Sequence, residues 1–196
     1  MRMKFNGGRG EGSMVEHDFD EWYRLYHRDV FAYIGYQVRS RQDVEDIAQE
    51  VFVRVLVGAD RFQGLAAPKT WILAIARRAV ADWYRKKRFK NLFSLSEVHD
   101  IASDELSLYE RAERSAKEDA LRDALLKLKK DDRDVVVLRM IHEFSTEETA
   151  AIFGWTSAKT RTKLHRALKK LQEMLGGDPL FEQMARKAAE EGVSMQ

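Results

Sequence analysis

The stretch whose reading decides the fold is "FSTEETAAIFGWTSAKTRTKLHRALKKL", Phe144 to Leu171. Ser145 with Glu148 three positions later forms a capping box, the signature of a helix start. Ala150 and Ala151 are small enough for two helices to approach closely. Gly154 supplies a turn, and Thr156 can cap the helix that follows. Helix, tight turn and helix make up the pattern whose second helix lies in the major groove of DNA.

That second helix has two sides. Thr160, Leu164, Leu168, Leu171 and Leu175 recur at helical spacing and form a core seam. Arg161, Thr162, His165 and Arg166 flank or oppose the seam, and Lys159 lies at its far edge. From Thr162 to Leu171 the chain carries Lys163, His165, Arg166, Lys169 and Lys170 and no acid. Arginine reads guanine with two hydrogen bonds, and lysine neutralises phosphate. A solvated helix on a small domain would have the same charge. The capping box, the turn glycine and the charge sign together favour DNA. His165 has no second ligand at a useful spacing, so no metal site is expected.

The whole chain of 196 residues is 44% hydrophobic and 34% charged, with only 2 Pro and 11 Gly. Long helical periodicities make it all-α, with room for two small domains. With 0 Cys, disulfides and thiolate metal sites are excluded. No apolar run reaches the roughly 18 residues of a membrane span. The start, "MRMKFNGGRGEGS", lacks the apolar core of a secretory signal. Residues 1–16 read as a disordered leader, with Met14 a candidate start. A cytoplasmic protein without membrane insertion of its own is expected.

The net charge of +2 says little, but its distribution says more. Seven bases stand between Arg77 and Lys90 against one acid, Asp82. Seven acids stand between Phe93 and Glu118 against three bases. Two basic helices separated by an acidic segment are two nucleic-acid footprints on one chain. The expected organisation is a first helical domain at 17–91, an acidic linker at 92–113, a helix-turn-helix domain at 114–175 and an extension at 176–196.

In the first domain, Trp22, Leu25, Tyr26, Val30, Ile34 and Val38 give one helix its apolar stripe. A second helix is expected from an Asp43 cap to about Val57, burying Val44, Ile47, Ala48, Val51 and Val55. Its outer face shows Asp46, Gln49, Glu50 and Val53, and an exposed valine among acids suits a protein partner as well as solvent. A third helix starts at Pro68, a favourable first-turn proline, and runs to about Lys90. Ile72, Ala76, Ala79, Val80 and Trp83 share its apolar face. Arg77, Arg78, Arg85 and Arg88 lie opposite, around Ala81. Aromatic groups beside basic ones suit melted DNA, although Trp83 reads as a core residue and Trp71 is balanced between core and DNA. In the second domain, helices are expected near Ser115–Leu128, Asp131–Ile141, Thr146–Phe153 and Ser157–Leu175. A short tail helix is expected after Asp178 and Pro179.

Three blocks now stand together: "DVEDIAQEVFVRVL", "RFQGLAAPKTWILAIARRAVADWYRKKR" and "STEETAAIFGWTSAKTRTKLHRALKKL". In order and spacing they resemble the ECF-type (extracytoplasmic function) sigma factors of bacterial RNA polymerase, across nearly all of Phe19 to Leu175. The resemblance implies docking on core RNA polymerase (β and β′ subunits) through Asp46, Gln49, Glu50 and Arg54, with Val53 on the same face. It implies capture of a flipped minus-ten base by the loop from Phe62 to Lys69, through Gly64 and Leu65, with Trp71. Arg77, Arg78, Tyr84 and Arg85 match the helix facing melted DNA, and Arg88 extends that face. Arg161, Thr162, His165 and Arg166, with Lys159 and Lys163 beside them, match the contacts to the minus-thirty-five duplex. The acidic linker matches the segment that threads toward the RNA exit path. An anti-sigma factor is the implied regulator.

The chain departs from the family in having Ala158-Lys159-Thr160 where Gly-Thr-Val is common, so that Thr160 replaces a buried aliphatic. It also has Ala67-Pro68 in the loop. No catalytic residue, cofactor or metal is expected, since no nucleophile–base pair or phosphate-cradling loop stands out. A stand-alone helix-turn-helix regulator, binding DNA as a dimer, is the rival reading. A metal-dependent DNA-processing enzyme is a weaker one, because the acids of "DVED" have no partner histidine.

Overall fold

Helix α1 (Met14–Gly35) begins inside the stretch expected to be a leader. It buries Trp22, Val30, Tyr33 and Ile34, whereas Leu25, expected on that stripe, is 56% exposed. Coordinates come from a computed structural model that describes residues 14–93 and 116–176, together with Phe181 and Arg186. Helix α2 (Arg41–Gly58) is capped by Ser40 rather than by Asp43. Ser40 has extended backbone and its Oγ accepts from the Asp43 N–H at 3.4 Å. Asp43 instead lies in the first turn, where its carboxylate complements the positive end of the helix.

Helix α3 (Pro68–Phe93) completes the first domain, in which α1, α2 and α3 all pack on one another. Its core comes from Ile47, Val51 and Val55 of α2 and Ile72, Ala76, Ala79 and Val80 of α3, all buried. Phe52 and Leu73 add to it. Val44 and Trp83 are only partly buried at its edge. Gly58 ends α2 against the Trp71 ring, and a Cβ there would stand 3.1 Å from Cζ2.

The second domain holds α4 (Ala116–Lys127), α5 (Lys130–Val136), α6 (Thr146–Phe153) and α7 (Ser157–Leu175). Helices α4, α5 and α6 pack against α7, whose Leu164, Leu168 and Leu171 are buried. The helix expected over Asp131–Ile141 is α5 continued by a π-turn at Val137–Ile141. Among the described residues there is no strand, and no helix is long and apolar enough to cross a membrane. The acidic linker lies outside the described residues, apart from the backbone at 92–93. So does the expected tail helix, except that Phe181 and Arg186 are helical and Phe181 is buried.

Candidate nucleic-acid and polymerase interfaces

The helix-turn-helix forms as its local chemistry dictates. Ser145 Oγ accepts from the Glu148 N–H at 3.1 Å, and the Glu148 carboxylate accepts from the Ser145 N–H at 2.8 Å. Gly154 takes φ 65°, a left-handed conformation that closes α6 without a Cβ clash. Thr156 Oγ1 accepts from the Lys159 N–H at 3.2 Å and starts α7. Thr160 is fully buried, and its hydroxyl donates to the Thr156 carbonyl at 3.1 Å. A satisfied hydroxyl is how a threonine occupies an aliphatic position at little cost.

On the outer side of α7, Lys159, Arg161, Thr162 and Arg166 are exposed and His165 is half-buried. Lys159 Nζ lies 4.3 Å from the Trp155 ring, which stacks on Phe153. Lys163 differs from its neighbours. Its Nζ donates to Asp132 Oδ1 at 3.0 Å, and Lys170 Nζ donates to Oδ2 at 2.5 Å. Asp132 is buried, which pushes its carboxyl up, but the two lysines outweigh burial and hold it below the ordinary value. No local spacing marks this carboxylate beneath the basic helix, since Asp132 and Lys163 are 31 positions apart.

The loop before α3 has an aromatic base and an open tip. Phe62, Trp71 and Trp22 form a cluster with centroids 5.1 to 5.8 Å apart. Trp71 is therefore a partly buried packing residue. Beyond it, Gly64 takes φ 67° and Leu65 is 88% exposed. On α3, Arg78, Arg85 and Arg88 are exposed.

Helix α2 shows Asp46, Gln49 and Val53 to solvent. Beside them, Tyr23, Phe31, Phe52, Val53 and Leu56 line a shallow apolar cleft of about 290 Å³. Glu50 and Arg54 look inward instead: Arg54 Nη2 donates to Glu50 at 2.6 Å and to Asp82 of α3 at 2.9 Å. The bond to Asp82 raises the Arg54 pKa further, so this clasp between α2 and α3 stays charged.

Residues 22–90 match the sigma-70 region 2 family, and residues 118–171 match sigma-70 region 4. The chain is 33% identical to the ECF RNA polymerase sigma factor SigX of Bacillus subtilis, over 81% of this chain and 84% of that one. It belongs to the ECF sigma factor family. A second relative, the RNA polymerase sigma factor YlaC of the same organism, is 32% identical over 79% of this chain and 90% of that one. The fold is shared with the sigma factor RpoE from Bartonella quintana, solved in complex with the anti-sigma factor NepR. The TM-score is 0.66 at 23% identity, covering 82% of this chain and 98% of that one.

In this sigma factor the two domains touch, a feature the sequence left unread. Helix α3 packs on α6. Arg77 Nε lies 3.3 Å from Asp134 Oδ2, its Nη2 donates to Asp131 Oδ1 at 3.4 Å, and its guanidinium sits 4.1 Å over the Phe153 ring. Tyr33 donates to the fully buried Asp134 at 2.9 Å, and burial first, then Asp134, raises the phenol pKa well above its usual value. Tyr84 donates to the Gln37 carbonyl at 2.5 Å and accepts from Arg133 at 3.3 Å. Arg122 donates to the carbonyls of Gly35, Val38 and Arg39 at 2.8 to 3.0 Å. Asp29 Oδ1 meets both Lys69 at 2.9 Å and the buried His142 at 3.3 Å. Three residues expected to face DNA, Lys69, Arg77 and Tyr84, are thus tied into the seam.

Proposed function

We propose that this sigma factor recruits core RNA polymerase through the outer face of α2. Helix α3 and the loop before it then open the minus-ten element, and α7 reads the minus-thirty-five element as duplex. One observation carries the reading: three chemically different exposed surfaces sit on separate elements of one chain. These are the acidic and apolar face of α2, the apolar loop tip beside basic α3, and the basic face of α7. Docking on the β′ subunit, with β contacts elsewhere, falls to Asp46, Gln49 and Val53. Glu50 and Arg54 support that face by clasping α2 to α3.

Melting needs a site that holds an unstacked base, since flipping costs a few kcal/mol. Leu65 at the loop tip offers an apolar wedge, a device that separates stacked bases elsewhere. The Trp22–Phe62–Trp71 cluster stiffens the loop behind it. Arg78, Arg85 and Arg88 then neutralise the phosphates of the opened strand. On α7, Arg161, Thr162, His165 and Arg166 reach base edges and Lys159 the backbone. The chain acts by binding, without a catalytic group or cofactor of its own, in the cytoplasm where the polymerase works. An anti-sigma factor that covers these faces is the proposed regulator, as NepR is the partner in the solved RpoE complex.

The test is co-purification with core polymerase, comparing the native chain with Asp46→Arg/Val53→Arg. Both positions are exposed, so the fold tolerates the change. Stoichiometric capture of the native chain and a loss of about tenfold or more in the variant are expected. A native chain that ignores polymerase yet binds duplex DNA alone overturns the proposal in favour of a stand-alone regulator.

A further inference from the structure

Lys159 stands where sigma factors of this family commonly have threonine. Its Nζ lies 4.3 Å from the ring of Trp155, four positions earlier and just outside the start of α7. Among the described residues no carboxylate pairs with it. Lys163 and Lys170, further along the same helix, both end on Asp132 instead. The two environments differ in kind. A carboxylate cancels the charge of an ammonium, whereas an aromatic face attracts the cation and leaves its charge intact. An ammonium also has three N–H donors, so one side can rest on the indole while the rest stay open to a phosphate oxygen.

The indole is itself held in place. Phe153 stacks on it with centroids 4.0 Å apart and planes at 26°, and Phe153 packs against the core. The Trp155 N–H donates to the Ala150 carbonyl at 2.9 Å, and the Gly154 N–H donates to the Ala151 carbonyl at 3.2 Å. These supports all come from α6 and its turn. Trp155 is half-buried and Lys159 is exposed, so the pair lies at the surface. It marks the N-terminal end of α7, the end of a recognition helix that meets the DNA.

We propose that Trp155 is a positioning residue for the minus-thirty-five contact. Its ring restrains Lys159 at the start of α7 before DNA arrives, with the charge still available to a backbone phosphate. A loose lysine loses rotamer freedom when it is fixed against phosphate, and a restrained one loses less. The inference rests on the assignment of α7 to duplex DNA proposed above.

The test uses the full chain in reconstituted polymerase holoenzyme. The DNA is a promoter duplex that the native holoenzyme selects from a pool of genomic fragments. Trp155→Leu keeps apolar bulk and removes the π face, whereas Trp155→Phe keeps a π face. Circular dichroism and thermal melting check that each variant is folded. Trp155→Leu should weaken duplex binding by about threefold, the scale of ordering one long side chain, and Trp155→Phe should recover most of that loss. In a Lys159→Gln background Trp155→Leu should add nothing, because the two residues act as one unit. An equal loss in both backgrounds would assign Trp155 to packing alone and overturn the proposal. So would unchanged or tighter binding by folded Trp155→Leu, or a Trp155→Phe chain as weak as Trp155→Leu. Should Trp155→Leu not fold, nuclear magnetic resonance of the native chain decides. The side-chain methylene protons of Lys159 should be displaced upfield by the ring current of the indole, and their appearance at ordinary positions overturns the proposal. A native holoenzyme that selects no promoter removes the sigma reading and this inference with it, even where the ring-current displacement is present.

Discussion

The two basic helices carry the same sign of charge and meet opposite fates. On α7 the exposed Arg161 and Arg166 project from a helix whose leucine seam is fully used by its own domain. On α3 the central arginine is wedged between two aspartates and a phenylalanine of the other domain. Charge along a sequence gives the sign of a surface. Whether the surface is available depends on what tertiary contact sets against it. Within α7 itself the same lesson recurs on a smaller scale, since Asp132 engages Lys163 and Lys170 and leaves Arg161 and Arg166 outward.

The strongest way to break the comparison is to remove the free arginines. Arg161→Ala/Arg166→Ala should weaken promoter duplex binding by the polymerase complex by about 1–3 kcal/mol per arginine that reads a base. Footprinting over the minus-thirty-five region measures it, and undiminished protection there would remove α7 from the interface. The next effect acts on the turn that orients α7. Gly154→Ala places a Cβ at φ 65° in otherwise open space, so the cost is backbone strain alone, about 1–2 kcal/mol. A melting temperature lower by several degrees is expected, and no change would mean that the turn relaxes.

Asp132→Ala sharpens the comparison within α7. Freeing Lys163 and Lys170 should steepen the salt dependence of duplex binding, by about 0.9 in log–log slope for each lysine that reaches a phosphate. An unchanged slope would strike Lys163 from the DNA-contacting set. The smallest effect concerns the seam. Burial lowers the pKa of His142 from its usual 6.5, with Asp29 opposing and Lys69 reinforcing the shift. The unfolded chain therefore takes up a proton more readily than the folded one. Stability should be full above pH about 6.5 and should decline as the pH falls below it. Denaturant titrations at pH 7 and 5.5 measure the slope, and His142→Asn should flatten it; an unaltered slope would assign the pH dependence to other groups.

Much of the helical architecture follows from short-range chemistry. The Ser145–Glu148 box, the Gly154 turn and the Thr156 cap act within a few residues, so the sequence contains all their partners. The buried faces of α3 and α7 likewise follow from apolar spacing. The Ser40 cap is subtler, because serine and aspartate stand three positions apart and either side chain can cap. Leu25 shows the limit of periodicity: helical spacing placed it on the stripe of α1, but no neighbouring helix covers it fully, and it stays exposed.

The sequence by itself determined the helices, the two-domain division, the family and the positions of the basic surfaces, because each is written in local spacing and residue type. The tertiary structure alone decided which of those residues are available. Tyr33 and Asp134 are 101 positions apart, and Arg77 and Asp131 are 54 apart. Contacts over such separations leave no period in the chain, since they depend on how α3 meets α5 and α6 in space. That is why the free arginines of α7 could be read directly from the sequence, whereas the engagement of Arg77 could not.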